Sequence, residues 1–331
     1  EVLDEHPVSI QVNGQWQTFP NARAAEEAAY GEYKDNLRRT AENFRITDDH
    51  LGEGGPKAKF QANIAAIKLL KYLEETTEQA TPEQQKILSR YVGWGGLADA
   101  FDPEKPAWAA EYTQLKELLT PEEYTAARGS TLNAHYTSPT VIRAIYETVG
   151  RMGFETGNIL EPSCGVGNFF GMLPEKMRNS HLYGVELDPV SGRIAKQLYP
   201  KADITVGGFE TTDRRDFFDL AIGNVPFGQY QVNDKAYNKL NFNIHNYFFA
   251  KALDQVRPGG VVAFVTSRYT MDAKDSTVRR YLAQRAELLG AIRLPNDAFK
   301  KNAGAEVVSD IIFLQKRDRP LDIVPEWTQT G

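Results

Sequence analysis

The sequence predicts an α/β protein. A mainly parallel, doubly wound sheet of seven strands, the last antiparallel, follows a mainly helical N-terminal extension that carries a short β-hairpin. Three observations lead to this. From residue 133 onward, apolar strand-like runs alternate with helical segments, the pattern of parallel strands joined by crossover helices. Before about residue 130 the chain is helical instead, rich in Ala, Glu and Arg and punctuated by Gly and Pro. At the start, two alternating segments flank Asn13-Gly14, a strong short-range hairpin signal. The expected organisation is an extension over 1–130, the sheet domain over 131–317 and a polar tail over 318–331 that leaves the domain.

The elements follow in order. Residues 8–12 and 15–19 make the hairpin. A helix is expected over 22–44, ended by Gly52-Glu53-Gly54-Gly55-Pro56. The next, over 57–76, sets Phe60, Ile64, Ile67, Leu70 and Leu73 on one face at helical spacing. Thr81-Pro82-Glu83-Gln84 and Thr120-Pro121-Glu122-Glu123 both read as helix starts, with threonine capping, proline in the first turn and a capping-box partner three residues on. Between them, Tyr91-Val92-Gly93-Trp94-Gly95-Gly96-Leu97 reads either as a packing loop or as a loop that closes over a ligand. The extension shows no other legible chemistry. Strands are then expected at 159–160, 182–186, 202–206, 218–222, 261–266, 288–294 and 307–314. The helices between them fall at 139–150, 168–177, 189–198, 245–256 and 276–287.

Composition narrows the function classes. The 331 residues suit two domains, or one with a large extension, and 17 Phe, 15 Tyr and 4 Trp suffice for a core. A formal net charge of −6 gives no global basic footprint, so nucleic-acid binding needs a local patch or a partner domain. The single cysteine, Cys164, excludes an internal disulfide framework and suits a reducing, cytoplasmic setting. The five histidines are scattered and no Cys/His group has metal-ligand spacing, so no metal is expected. No run reaches the roughly 18 apolar residues of a membrane span, and no signal peptide is visible. The chain begins at Glu1, as a piece of a longer protein would.

The most informative stretch is Ile222-Gly223-Asn224-Val225-Pro226-Phe227-Gly228, at the end of an apolar run. A buried strand would deliver a polar amide and an aromatic ring to its C-terminal end, where open α/β sheets bind ligands. Such a pair suits a nucleobase, with an acceptor for an exocyclic amine and a ring to stack on a flat heterocycle. An ordinary strand-to-loop turn reads the same way. The first sheet strand ends in Glu161-Pro162-Ser163-Cys164-Gly165-Val166-Gly167-Asn168, where the glycines allow a tight turn and close backbone approach. Gly-x-Gly alone is a weak dinucleotide signal. Glu161 would repel a pyrophosphate and favour an ammonium-bearing ligand. Glu186 ends the second strand roughly 20 residues further on, placed to accept from ribose hydroxyls. Asp188, before Pro189, reads mainly as a helix N-cap, and Cys164 as a small buried filler.

On these motifs, residues 133 to about 317 resemble the amino-group S-adenosylmethionine (SAM)-dependent DNA methyltransferases, in the motif order of type I modification subunits and related N6-adenine enzymes. His135-Tyr136-Thr137-Ser138-Pro139 resembles the Tyr-Thr-Pro segment that helps line the SAM pocket. Glu161 to Phe170 resembles the family's D-P-x-C-G-x-G turn, with Glu in place of Asp. Val185-Glu186-Leu187-Asp188-Pro189 resembles the second-strand acidic motif. Asn224 to Phe227 resembles the catalytic N-P-P-Y/F motif. Pro258-Gly259-Gly260, Leu289 to Pro295 with Phe299, and Ser309 to Lys316 agree with the later motifs. The extension resembles, more loosely, the segment before this domain in methylase–helicase proteins of mobile elements.

The resemblance implies a Rossmann-like seven-stranded methyltransferase domain that transfers a methyl group from SAM to the N6 amine of a flipped-out DNA adenine, in a restriction-modification or mobile-element setting. It implies SAM contacts at Tyr136, Thr137, Glu161, Pro162, Ser163, Cys164, Gly165, Gly167, Asn168, Glu186, Leu187, Gly208 and Phe209. Asn224, Val225, Pro226 and Phe227 form the implied catalytic set. Further domains of a longer chain, such as a helicase or a target-recognition region, are the implied partners. Two departures stand out. Val225 replaces a proline but keeps the main-chain acceptor. Gly207-Gly208-Phe209 lacks the family's acidic residue before Phe, although Phe209 can still pack on adenine. Lys239, Asn243 and His245 are candidate target contacts, though helix N-capping explains Asn243 and its neighbours equally well. Arg268 and Arg279-Arg280 read as phosphate contacts or as a solvated basic face. A methyltransferase acting on RNA bases or protein glutamine, or a binding module that holds SAM or DNA without catalysis, remain as alternatives.

Overall fold

A computed structural model describes residues 6–131, 136–295 and 308–329. Strands β1 (Val8–Val12) and β2 (Gln15–Phe19) pair antiparallel. Asn13 and Gly14 both take positive φ, as a two-residue hairpin turn requires. Helix α1 (Ala22–Thr40) stops four residues before its expected end. The chain instead runs extended across the sheet domain, with Phe44 N donating to Leu198 O (2.8 Å) and Ile46 N to Gly171 O (2.9 Å). Helix α2 (Pro56–Thr76) buries the expected stripe from Phe60 to Leu73. Both capping boxes form, at the starts of α3 (Pro82–Leu88) and α5 (Pro121–Ser130), with α4 (Ala109–Leu118) between them.

The sheet comprises β3 (Asn158–Glu161), β4 (His181–Glu186), β5 (Asp203–Val206), β6 (Phe218–Asn224), β7 (Val256–Ser267), β8 (Ala286–Arg293) and β9 (Ser309–Lys316). Its order is β5-β4-β3-β6-β7-β9-β8. Strands β3 to β7 pair in parallel, and β9 lies antiparallel between β7 and β8. The antiparallel last strand is thus as expected. Strand β7 starts five residues early, because a register shift opposite Phe218–Leu220 accommodates Arg257 to Gly260.

Helices α6 (Pro139–Arg151), α8 (Pro189–Leu198), α9 (Ile244–Gln255), α10 (Tyr269–Asp272) and α11 (Thr277–Arg285) complete the layers. The helix expected over 168–177 is only α7 (Asn168–Gly171), followed by a 3-10 turn at Glu175–Met177. Pro174 is the cause, since the residue before a proline is driven out of the α region. The tail does not leave the domain. Leu321 N donates to Gln284 O (2.8 Å), and Thr328 is buried, its carbonyl accepting from Arg279 Nε (2.9 Å). His135, Phe299 and Val307 lie outside the described residues.

Period-two alternation divides the core between the two faces of the sheet. Ile159, Leu220, Ala263 and Ile311 face one side, while Leu160, Ala221, Phe264 and Ile312 face the other. The first cluster also contains Phe60, Leu70, Trp94 and Leu115, so the helical layer shares one continuous core with that face. Polar contacts reinforce the seam. Arg193 of α8 bonds both carboxylate oxygens of Glu74 (2.7 and 2.9 Å) and Glu123 (2.7 Å), and Lys71 also reaches Glu123 (3.0 Å). Among the described residues no helix is long and apolar enough to cross a membrane.

Candidate functional site

Strand order reverses at β3: its successors β4 and β5 lie on one side, β6 and β7 on the other. That switch point leaves a crevice at the carboxyl ends of the strands. Here it deepens into a cavity of about 530 Å³. Of the predicted residues, Tyr136, Thr137, Glu161 to Gly165, Asn168, Glu186, Leu187, Gly208, Phe209, Asn224, Val225 and Pro226 line it. Motifs up to 88 residues apart, from Tyr136 to Asn224, therefore converge on one space.

At the end of β6, the Asn224 side chain is oriented by the loop before α6, with Nδ2 donating to Thr137 Oγ1 (3.0 Å). That assignment turns Oδ1 away from Thr137. Ser163 Oγ donates to the Asn224 carbonyl (2.9 Å), and Val225 N donates to Val265 O (3.1 Å). The segment is held from β3, α6 and β7 at once. Phe227 is half-buried and packs against both core clusters, beside the cavity rather than on its lining.

At the end of β3, Glu161 is buried, and its Oε2 has no hydrogen-bond partner. Burial, and then the charge of Glu186, hold its carboxyl well above the usual carboxylate range. Glu186 Oε2 accepts from Gly165 N (2.7 Å), and Oε1 from Asp188 N (2.8 Å). Burial pushes Glu186 up to about 7 against those stabilising main-chain bonds. The two glycines of the turn serve different ends. Gly165, at φ +56°, has open space where a Cβ would stand. Gly167, at φ +87°, would drive a Cβ into the Tyr199 ring. Asp188 caps α8, accepting from Ser191 N (2.7 Å). The Cys164 thiol is buried, and burial with the nearby glutamates raises its pKa well above the ordinary value. It stays protonated and fills space.

At the end of β5, Phe209 is buried against Phe248 (centroids 4.9 Å apart). Gly208 has no side chain, but the Glu210 carboxylate folds back onto the position its Cβ would take, and Glu210 lines the cavity. The acidic group absent from 208 is thus offered from two residues further on.

Three predicted contacts lie elsewhere. Lys239 is exposed on a 3-10 turn, and Asn243 stands at the α9 N-cap without a side-chain capping bond. His245 is buried with neither ring nitrogen hydrogen-bonded, and burial lowers its pKa to about 4, the Gly228 main chain opposing. None of the three lines the cavity. Arg279 takes neither expected role. It is buried, bracing the tail at Thr328 O and donating from Nη1 to Ala273 O (2.7 Å).

Sequence reasoning left the glycine-rich loop open between packing and closing over a ligand, and missed the α5 residues beside it. Tyr91, Val92, Gly93, Thr125, Ala126, Gly129 and Ser130 of the helical layer also line the cavity. In the glycine-rich loop, Trp94 is buried edge-on to Phe60, Tyr91 and Phe101 (centroids 6.0, 6.2 and 5.3 Å apart). The main chain before it borders the cavity. Fully buried Asn63 pins that chain, donating to Gly93 O (2.6 Å) and accepting from Val92 N (2.9 Å). The signal was an amide on the apolar stripe of α2, where a buried polar side chain must have partners.

Residues 199–299, which include Gly208 and Asn224 to Phe227, match the Eco57I restriction-modification methylase family. The "Defense against restriction protein B" of Escherichia phage P1 is 28% identical over 272 residues, covering 80% of this chain and 10% of the phage protein. The type II methyltransferase M.CvrRI of Paramecium bursaria Chlorella virus XZ-6E is 42% identical over 83 residues, 25% of this chain and 21% of that protein. The type II methyltransferase M.TthHB8I of Thermus thermophilus is 27% identical over 186 residues, 50% of this chain and 42% of that protein. The chain therefore spans less than half the length of each of these relatives.

Proposed function

We propose that this chain is the catalytic domain of an SAM-dependent DNA methyltransferase that methylates the exocyclic N6 amine of adenine. The observation that carries the reading is the convergence of Glu161, Glu186 and the Asn224–Val225 segment on one cavity at the switch point. The residues fit the cofactor. A buried carboxylate oxygen without a partner at Glu161 suits an ammonium group, and the open face at Gly165 admits a ligand close to the main chain. Glu186 suits ribose hydroxyls. Phe209 and Glu210 suit an adenine ring and its amine, Glu210 standing in for the acidic residue that position 208 lacks.

When bound, SAM supplies an electrophilic methyl group on a sulfonium. The protein's part is orientation and electrostatics. Asn224 Oδ1 and the Val225 carbonyl accept the two hydrogens of the target amine. This draws the nitrogen toward pyramidal geometry and points its lone pair into the cavity. The bond from Asn224 Nδ2 to Thr137 Oγ1 supports this reading, since it leaves Oδ1 turned away from Thr137. Val225 serves through its carbonyl, and its side chain is buried. A duplex base has to leave its stack to reach this point. Phe227, half-buried beside the cavity, is the proposed stacking ring, and such base–aromatic contacts are worth roughly 1–3 kcal/mol. Reading of the DNA sequence falls to further domains of a longer chain, consistent with a net charge of −6 and with relatives much longer than this chain.

The test is methyl transfer from radiolabelled SAM to DNA, RNA and protein in parallel. Label on adenine N6 of DNA is expected. Label confined to RNA or protein would move the substrate class, and SAM binding without transfer to any of the three would leave a binding module.

A further inference from the structure

The glycine-rich loop of the helical layer was singled out by its sequence, yet catalysis at β6 makes no use of it. Its first residue, Tyr91, is 1% exposed and lines the cavity. The ring is locked edge-on against Trp94. Its hydroxyl oxygen has no hydrogen-bond partner. Ser191 and the Trp94 indole are polar neighbours, but neither meets hydrogen-bond geometry with it. A buried hydroxyl left unpaired costs roughly 1–3 kcal/mol, so its retention calls for a partner.

The surroundings narrow the partner. Asp188 and Glu186 are the carboxylates that act on the Tyr91 hydroxyl electrostatically. Both are engaged with main-chain N–H groups: Asp188 with Ser191 N, and Glu186 with Gly165 N and Asp188 N. A ligand at this end of the cavity must therefore offer groups that both donate and accept. Paired sugar hydroxyls do so.

We propose that the Tyr91 hydroxyl hydrogen-bonds a ribose hydroxyl of the cofactor, which makes the helical layer part of the SAM site rather than a packing appendage. The inference rests on the reading of the cavity as an SAM site. Tyr91 acts as a binding residue: it touches cofactor hydroxyls and takes no part in moving the methyl group. Asn63, which pins Val92 and Gly93, holds the loop that carries it.

Calorimetric titration of S-adenosylhomocysteine into the wild-type chain and Tyr91→Phe tests this, alongside an analogue whose ribose lacks the 2′ and 3′ hydroxyls. Tyr91→Phe is expected to bind S-adenosylhomocysteine about fivefold more weakly, the worth of one neutral hydrogen bond. It should bind the analogue as the wild type does. The ligand-free variant should melt no lower than the wild type, because the change removes only an unpaired hydroxyl. Equal affinity of the two proteins for S-adenosylhomocysteine, or an equal loss with the analogue, overturns the inference. A wild-type chain that binds no S-adenosylhomocysteine overturns the methyltransferase reading itself, and the inference with it.

Discussion

The cavity has two unlike walls. At the ends of β3, β4 and β6 the wall is polar, and each strand closes on a residue with chemistry: Glu161, Glu186, Asn224. Opposite, the helical layer contributes mostly small residues and main chain, with Val92, Gly93, Ala126 and Gly129, and one aromatic hydroxyl, Tyr91. The sheet wall sets what reaction is possible. The helical wall bounds the space from the other side. The two share one hydrophobic core.

Cutting that shared core is expected to have the largest effect. Trp94→Ala removes a fully packed indole and should cost about 3–5 kcal/mol of stability, read by urea denaturation. Helical layer and sheet should unfold in one transition. Two separate transitions, with the sheet unaffected, would show that the walls are independent bodies.

Next comes the charge of the polar wall. Glu161 and Glu186 both hold their protons more tightly in the fold than in the unfolded chain, where a glutamate titrates near 4.5. The protonated form of Glu186 therefore contributes stability that is fully present below about 4.5 and is lost as pH rises through about 7, the value to which it is pushed, and Glu161 contributes with the same sign. A cofactor ammonium facing Glu161 favours the carboxylate, so binding should release protons. The affinity for S-adenosylhomocysteine should rise between pH 5.5 and 8, on the order of tenfold for each proton released per pH unit. Titrations at pH 6.5 in buffers of different ionisation enthalpy measure that release, and a pH-independent affinity would remove Glu161 from the ammonium site.

A smaller effect probes the Gly208 departure. Glu210→Gln keeps the shape but replaces one acceptor oxygen with an NH2 donor. It should weaken S-adenosylhomocysteine about five- to tenfold, the worth of one typical hydrogen bond. The S-inosyl analogue, which has no exocyclic amine, should bind both proteins alike. Glu210→Gln together with Gly208→Asp should recover part of the loss. An unchanged preference for adenine over hypoxanthine would show that Glu210 merely covers Gly208.

The two walls also differ in how legible they were. Each β-strand of the sheet carried an apolar run closed by a distinctive turn, so the strands, the β3 and β6 motifs and the antiparallel β9 could be read in advance. Placing β9 between β7 and β8 could not, since it depends on pairing between segments far apart in sequence. Pro174 was visible but was not given its due as a helix stop. Tyr91 acts through tertiary contacts that leave no periodic trace, and Asn63 left only that of an amide on the apolar stripe of α2. Glu210 reaches the Gly208 site only by folding its side chain back, a choice of rotamer that no motif spells out. Arg279 looked like a surface cation because arginine is rarely buried. Its partners are carbonyls supplied by segments 6 and 49 residues further along or back in the chain.

The central claim is that Asn224, held by Thr137 at the end of β6, orients the accepting amine and takes no part in holding the cofactor. Single-turnover methyl transfer and S-adenosylhomocysteine affinity, measured side by side for the wild type and Asn224→Ala, address it directly. The expected result is cofactor affinity within about twofold of the wild type and transfer reduced by at least on the order of 10²–10³-fold, the scale of losing one preorganised transition-state contact. Near-normal transfer by Asn224→Ala would contradict the account.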